Sequence, residues 1–457
     1  MQRTALLNVV GLTRRLIGEH TPRLRALVEQ QGLRLIEPVL PAVTCTAQAT
    51  YLTGQPPAVH GAVANGWYER DYAEHRFWKQ PEALVQAEML WDKLRREQPG
   101  FTCAKVFWWY NMHSTADWTV TPRPLYLSDG LKVFDIHTQP MAMRDELKRD
   151  LGPFPFPFFW GPAAGLRSSE WIAESAKWIE TRHQPSLSLV YLPHLDYNLQ
   201  RYGLDFPHIA GDLREIDTLV GDLLDFYEAR GVRVALLSEY GITDVDRPVH
   251  LNRVFRAQGW LSIKDELGQE TLDLGGCRVF ALADHQLAHI YVNDPSLLEA
   301  VRALLERTPG VERVLDRAAQ RELGLDHERA GNLIAIADAR SWFTYYYWLD
   351  DARAPEFARC VDIHRKCGYD PVELFLDPTV RFPKLKIALK LLRKKLGMRM
   401  KMDLIPLDAT LVRGSHGRVP EDREDWPVLI GPGLATEESP LAATAVHGEL
   451  LRLCRQE

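Results

Sequence analysis

"LSLVYLPHLDYNLQRYG", residues 187–203, opens with six mostly apolar residues, stops at Pro193 and passes at once into the polar run His194–Tyr197. Three other stretches share this texture: "ALLNVV" at 5–10, "AKVFWW" at 104–109 and "RVALLS" at 233–238. Helix-like segments, such as the amphipathic Pro22–Gln31, separate them. Short apolar runs alternating with helical patterns predict an α/β fold with a mainly parallel central sheet and helices on both faces. In such sheets ligands bind beyond the carboxyl ends of the strands. The residues just after each run therefore become the candidates for chemistry: Gly11 and Leu12, Tyr110 and Asn111, His194–Tyr197, and Glu239–Gly241.

The texture changes between about residues 246 and 400, which read as a smaller α+β insertion dividing a core of residues 1–245 and 401–457. A length of 457 residues suits one large domain carrying such an insertion, or two domains. Near its end, "KLKIALKLLRKKLGMRMKM" (384–402) repeats Leu385, Leu389, Leu392 and Leu396 at helical spacing among eight Lys/Arg. Basic amphipathic helices of this kind lie on membranes, but the pattern is promiscuous. Packing of the leucine stripe on the sheet is the expected outcome, with membrane-surface contact through 384–402 as the lesser reading.

A formal charge of −6, with 46% hydrophobic and 25% charged residues, gives no reason to propose nucleic acid as a partner. Six cysteines lie far apart without a Cys-x-x-Cys pair, which disfavours a zinc ribbon or a disulfide framework and fits a reducing, cytoplasmic compartment. The apolar run Ala5–Val10 is too short, and too soon followed by Arg14 and Arg15, for a secretory signal. No stretch approaches the ~18 apolar residues of a membrane span.

"PAVTCTAQATYLTGQPPAVHGAVANGWYERD" (41–71) is rich in hydroxyls and poor in charge. Thr44 precedes a segment able to start a helix, whose backbone N–H groups would favour an anion beside its hydroxyl. A threonine at that place also serves as an ordinary N-cap. The wider stretch resembles the nucleotide pyrophosphatase/phosphodiesterase branch of the alkaline phosphatase superfamily, with Thr44, Thr53-Gly54, Pro57, His60-Gly61 and Asn65 at matching spacing. The resemblance implies that Thr44 is a nucleophile attacking phosphorus and that Asn65 holds a phosphoryl oxygen. It extends to Asp196 and Gly203, to Ser238-Glu239-Tyr240-Gly241, and to His416 in "GSHG".

Several metal-ligand positions of that family are altered. Gln200 and Tyr240 stand where the family has histidine, Glu239 where it has aspartate, and Val10 where it has the first aspartate. The resemblance implies metal ligation by Asp196, Gln200 and His416 on one side and by Thr44, Glu239 and Tyr240 on the other. A full two-zinc centre is not expected from this set, since zinc favours His, Cys and carboxylate. One divalent cation is the expectation, and Mg²⁺ or Mn²⁺ suits the oxygen donors better than Zn²⁺. His194, sharing a strand face with Asp196, and Asn8, Asp244 and Asp246 are weighed as substitute ligands.

Candidate substrate contacts are Trp67 and Tyr68 as pocket aromatics, Asn111 and His113 at a strand end, Arg365 and Lys366 as an anion clamp, and Arg418 beside His416. Each has a plain structural alternative, core packing for the aromatics and internal ion pairing for the charged turn "DIHRKCGYDP". The functional expectation is a phosphoester hydrolase or phosphoryl transferase acting on a small phosphorylated metabolite. The alternative is an altered family member that binds an anionic ligand without turnover. Thr44, Asp196, Glu239 and His416 are expected around one hollow, with the threonine hydroxyl open to solvent at its floor.

Overall fold

A computed structural model describes residues 2–128, 132–434 and 439–455. Its centre is a nine-stranded sheet in the spatial order Leu441–Ala442, Leu33–Glu37, Val428–Ile430, Arg233–Leu237, Thr4–Val9, Leu187–Leu192, Cys103–Val106, Trp118–Pro122 and Ile136–Gln139. Only Val428–Ile430 and Ile136–Gln139 run against the others. Thr4–Val9 and Leu187–Leu192 are buried along their whole length, as apolar runs covered on both faces require. The helices fall into two packed groups: Pro22–Gln31, Leu166–His183 and Phe206–Glu228 in one, Thr44–Thr53, Leu90–Glu97 and Val446–Arg455 in the other.

The segment read as an insertion contains a four-stranded antiparallel sheet, ordered Val279–Asp284, Leu287–Val292, Leu333–Ala337, Val311–Leu315, and an apolar cluster around Phe280, Tyr291, Trp342 and Trp348 that also takes in Tyr68 and Phe77 from earlier in the chain. Its first two strands form a hairpin with Asp284 paired to Leu287, so His285 and Gln286 make the two-residue tip. His285 takes the left-handed conformation this tight turn needs, φ +63°. The tip reaches the C-terminal part of the chain, where the Gln286 N–H donates to the His416 carbonyl at 2.8 Å.

Two features differ from the sequence reading. Residues 194–202 form a helix directly after the central strand, so His194 does not share a strand face with Asp196. Helix Pro383–Lys395 forms as expected, but its leucine stripe is exposed rather than packed on the sheet.

Candidate active site

Strand register explains why residues so far apart in the chain converge. Asn8 lies level with Tyr191 on one neighbouring strand and Leu237 on the other. The segments leaving these strands therefore emerge side by side at the carboxyl edge of the sheet. Asn8 donates its amide to Glu239 Oε1 at 2.6 Å, and Gln48, one turn into helix Thr44–Thr53, donates to the same oxygen at 2.5 Å. Gly241 closes this turn against the chain; a Cβ there would lie 1.8 Å from the Asp425 carbonyl oxygen.

Helix Thr44–Thr53 starts over the same edge, and all ten of its residues are buried. Its second residue, Cys45, gives its backbone N–H to Asn65 Oδ1 at 3.0 Å, so Asn65 satisfies one of the free donors of the helix start. Asn65 in turn donates its backbone N–H and its side-chain amide to the two oxygens of Asp284, at 2.8 and 3.1 Å. The Thr44 hydroxyl lies 3.3 Å from the Tyr240 phenol, which donates to Asp196 Oδ1 at 3.1 Å. Gln200 donates to the other Asp196 oxygen at 2.7 Å and exchanges hydrogen bonds with Tyr369.

Four rings form a continuous stack across the join between core and insertion. Tyr240 lies on His416 at 3.6 Å, His416 beside His285 at 3.7 Å, and His285 on Tyr369 at 3.7 Å. Convergence is as the sequence led one to expect, but openness is not. Thr44 is 3% exposed, and Asp196, the most exposed of the acids in the centre, only 7%. The hairpin tip and Tyr369 of the insertion close the hollow.

Burial governs the electrostatics. It pushes the Glu239 carboxyl up to about 8, against the pull of the Gln48 and Asn8 amides, and Asp196 up to about 7 against Tyr240 and Gln200. Asp284 is raised to about 6. His285 and His416 are driven well below their ordinary value by desolvation and stay neutral. Their tautomers follow from their partners. His416 Nδ1 faces the Ala42 carbonyl at 2.7 Å and His285 Nδ1 faces Asp284 Oδ1 at 2.7 Å, so each donates from Nδ1. Both Nε2 atoms then carry buried lone pairs, and neither has a hydrogen-bond partner.

This donor set does not fit a two-ion centre. Val10 offers no ligand, the Tyr240 phenol is held protonated between Thr44 and Asp196, and both Asp196 oxygens already accept hydrogen bonds. The two unpartnered imidazole nitrogens, each oriented through its other nitrogen by a carbonyl or carboxylate, are the donors best prepared for a single ion. Gln200 supplies an amide N–H where a ligand would have to supply an electron pair. Among the substitutes weighed, Asp244 accepts from the Leu204 N–H and Asp246 pairs with Arg340, while Asn8 is turned to Glu239. His194 turns away to Asp212 and Glu215 on the following helix, at 3.6 and 3.1 Å.

The other candidates lie outside the cluster. Trp67 donates to Glu69 and stacks under Arg329, and Tyr68 packs on Phe280 and Tyr291 in the insertion's core. Asn111 folds back on the Lys105 and Trp108 carbonyls, while His113 is exposed beside His137. Lys366 is buried between Asp370 and Glu373, at 2.6 and 2.7 Å, and Arg365 pairs with Glu356 on the surface. Arg418 pairs with Glu312 and Glu421. Asp284, His285 and Tyr369 are the members that sequence reasoning missed. A visible signal was the polar run Asp284-His285-Gln286 inside the mostly apolar "VFALADHQLAHIYV", which interrupts two strand-like segments at a hairpin turn.

A large mainly parallel sheet with helices in two packed groups and a hydroxyl at a helix start above its carboxyl edge defines an α/β protein whose candidate site lies at the strand ends. The family model of type I phosphodiesterase/nucleotide pyrophosphatase matches residues 4–370, and the chain belongs to that family, whose members typically depend on divalent cations. A curated relative, an uncharacterised pyrophosphatase/phosphodiesterase of Schizosaccharomyces pombe, is 24% identical over 268 residues, covering 56% of this chain and 47% of that protein. The matched segment thus spans about half of the relative. Among solved structures, murine ectonucleotide pyrophosphatase/phosphodiesterase 5, as an inactive variant with AMP, superposes with a TM-score of 0.60 at 14% identity, covering 100% of this chain and 96% of that one. Phosphonoacetate hydrolase of Sinorhizobium meliloti with phosphonoacetate gives 0.62 at 14%, covering 99% and 96%. At such identities these structures establish the shared fold.

Proposed function

We propose that this protein is a phosphoester hydrolase or phosphoryl transferase acting on a small phosphorylated metabolite, with Thr44 as its nucleophile. The observation that carries the reading is the chain Thr44 hydroxyl, Tyr240 phenol, Asp196 carboxylate at the start of a buried helix. Thr44 Oγ attacks phosphorus as its proton passes to the Tyr240 oxygen and the phenolic proton passes to Asp196. The bond from phosphorus to the ester oxygen breaks, and the departing oxygen takes a proton from solvent. Water then attacks the phosphothreonine and gives up its proton to solvent, the bond from phosphorus to Thr44 Oγ breaks, and Asp196 returns its proton through Tyr240 to that oxygen. Asn65 is the proposed holder of a non-bridging phosphoryl oxygen, for which its amide exchanges Asp284 for substrate.

Substrate entry requires the His285–Tyr369 side of the ring stack, carried by the insertion, to part from the His416–Tyr240 side, carried by the core. That AMP and phosphonoacetate occupy the two structural neighbours supports a small anionic ligand here. A second reading, ligand binding without turnover, is favoured by the 3% exposure of Thr44 and by the commitment of the Asn65 amide to Asp284. A panel of phosphomonoesters and phosphodiesters assayed beside Thr44→Ala decides between them. Turnover lost in the variant, with a phosphothreonine trapped at Thr44 by mass spectrometry, supports catalysis. No turnover, with thermal stabilisation by AMP or phosphonoacetate, supports binding alone.

A further inference from the structure

Helix Pro383–Lys395 is oriented opposite to what its sequence would ordinarily dictate. An amphipathic helix on a globular body turns its apolar stripe inward. Here Leu385, Leu389, Leu392 and Leu396 are 58%, 53%, 52% and 65% exposed, and Phe382 and Met398 extend the same bare surface at either end. The inward side is made by Lys386, Ile387 and Lys390, all only partly exposed. Lys386 donates to the Asp403 carbonyl at 2.9 Å, and Lys390 reaches the Asp403 carboxylate at 2.5 Å. The helix is thus pinned to the protein by its lysines, with its leucines left facing outward.

The charge pattern around that face is equally one-sided. At about 100° per residue, the leucines fall within roughly 40° of one line, with Lys384 and Lys395 roughly 80–100° to one side and Arg393 about 80° to the other. Lys384, Arg393, Lys394, Lys395 and Arg399 have no ion-pair partner among the described residues, although the chain as a whole carries a net charge of −6. No Asp or Glu lies between Pro378 and Met402. A bare leucine stripe flanked by free cations, Lys384 and Lys395 on one side and Arg393 on the other, is complementary to a surface that is anionic outside and hydrocarbon just beneath. Long basic side chains flanking such a stripe reach headgroups while the stripe enters the acyl boundary. A nucleic acid would meet the cations but leave the leucines in water, and a second copy of this helix would set like charges against each other.

We propose that helix Pro383–Lys395, with Phe382 and Leu396–Met398, is a docking surface for an anionic lipid bilayer, on which the protein lies in the interface. No helix among the described residues is long and apolar enough to cross a membrane, so attachment is peripheral and reversible. The inference is independent of the chemistry proposed above, because it reads a surface rather than the enclosed site.

The test is co-sedimentation of the full chain with phosphatidylcholine vesicles, with and without phosphatidylglycerol. Binding is expected only with phosphatidylglycerol and should weaken with added salt. Lys384→Glu/Arg393→Glu/Lys395→Glu should lower the partition coefficient about 100-fold. Leu385→Ser/Leu389→Ser/Leu392→Ser should lower it about tenfold or more. All these side chains are exposed, so both variants should keep the wild-type melting curve. Hydrogen exchange of the unmodified protein gives a readout free of any variant: residues 383–402 should become protected on anionic vesicles. Failure of the wild type to bind them overturns the proposal, as does binding that survives loss of the leucines. A wild-type dimer that the leucine variant dissolves, without vesicle binding, would instead make this face a self-association surface.

Discussion

At the scale of single residues, Tyr240 decides the character of the site. Its phenol stands between the Thr44 hydroxyl and the Asp196 carboxylate, and its ring is stacked on His416. Tyr240→Phe keeps the stack and removes only the link between the two oxygens. Turnover is expected to fall by about 10²-fold or more, the scale of a lost proton-transfer group, with an unchanged melting curve. Unaltered kcat/KM in the purified variant would remove Tyr240 from the mechanism. The same residue argues against a two-ion centre, because a protonated phenol takes the place of an electron-pair donor. Metal analysis after dialysis against excess Zn²⁺ or Mn²⁺ is expected to return fewer than two ions per chain, and two firmly held ions would contradict that account. Buried Lys366 shows a different residue-scale effect. Its side chain is 1% exposed between Asp370 and Glu373, which are 3% and 1% exposed. Lys366→Met would strand two buried acids, and urea denaturation should show a loss of about 3–5 kcal/mol.

At the scale of elements, the helix that carries Thr44 ends as deliberately as it begins. Gly54 terminates it in the left-handed conformation at φ +69°, with its N–H on the Thr50 carbonyl. A Cβ there would also sit 3.0 Å from the His447 side chain. Gly54→Ala should therefore cost about 1 kcal/mol from backbone strain alone, read as a lowered melting temperature. His60 then ties the following loop back to the helix, accepting from the Ala62 N–H at 3.1 Å and meeting the Thr50 hydroxyl at 3.0 Å. These links show what was legible in the sequence. Asp196, Glu239 and Tyr240 come just after strands, where the rule of the carboxyl edge pointed, whereas Thr44, Asn65, Gln200 and His416 were legible only through the motif spacing of the family resemblance. Asp284, His285 and Tyr369 come from the insertion, and no local spacing ties a hairpin tip to a sheet almost 280 residues earlier in the chain. The inverted helix Pro383–Lys395 was legible as a helix but not in its facing. Periodicity gives the angle between its two faces, while the ion pairs with Asp403 decide which one looks inward.

At the scale of the whole molecule, the question is what holds the insertion against the core, since that join seals the site. His289 is a strut of this join. It lies on strand Leu287–Val292 of the insertion, and its Nε2 donates to the Val63 carbonyl of the core at 3.1 Å. Its Nδ1 accepts the Gly331 N–H at 3.0 Å. Only the neutral ring satisfies both partners, because a proton on Nδ1 would face an N–H group. Burial accordingly lowers His289 to about 4, the hydrogen bond to Val63 opposing it only in part. The sign comes from linkage. Above about pH 6.5 the ring is neutral in folded and unfolded chains alike, and the contribution of the strut is intact. As pH falls from about 6.5 toward 4, the unfolded chain binds a proton that the folded one refuses, and about 3 kcal/mol of stability is lost. Other buried groups titrate in the same range, so the comparison has to be made against a variant. His289→Gln offers one donor and one acceptor without titrating. Its stability is expected to start lower than that of the wild type at pH 7.5 and to fall less steeply between pH 6.5 and 4 in urea denaturation. Parallel curves for the two proteins would show that the ring is not the acid-sensitive element of the join.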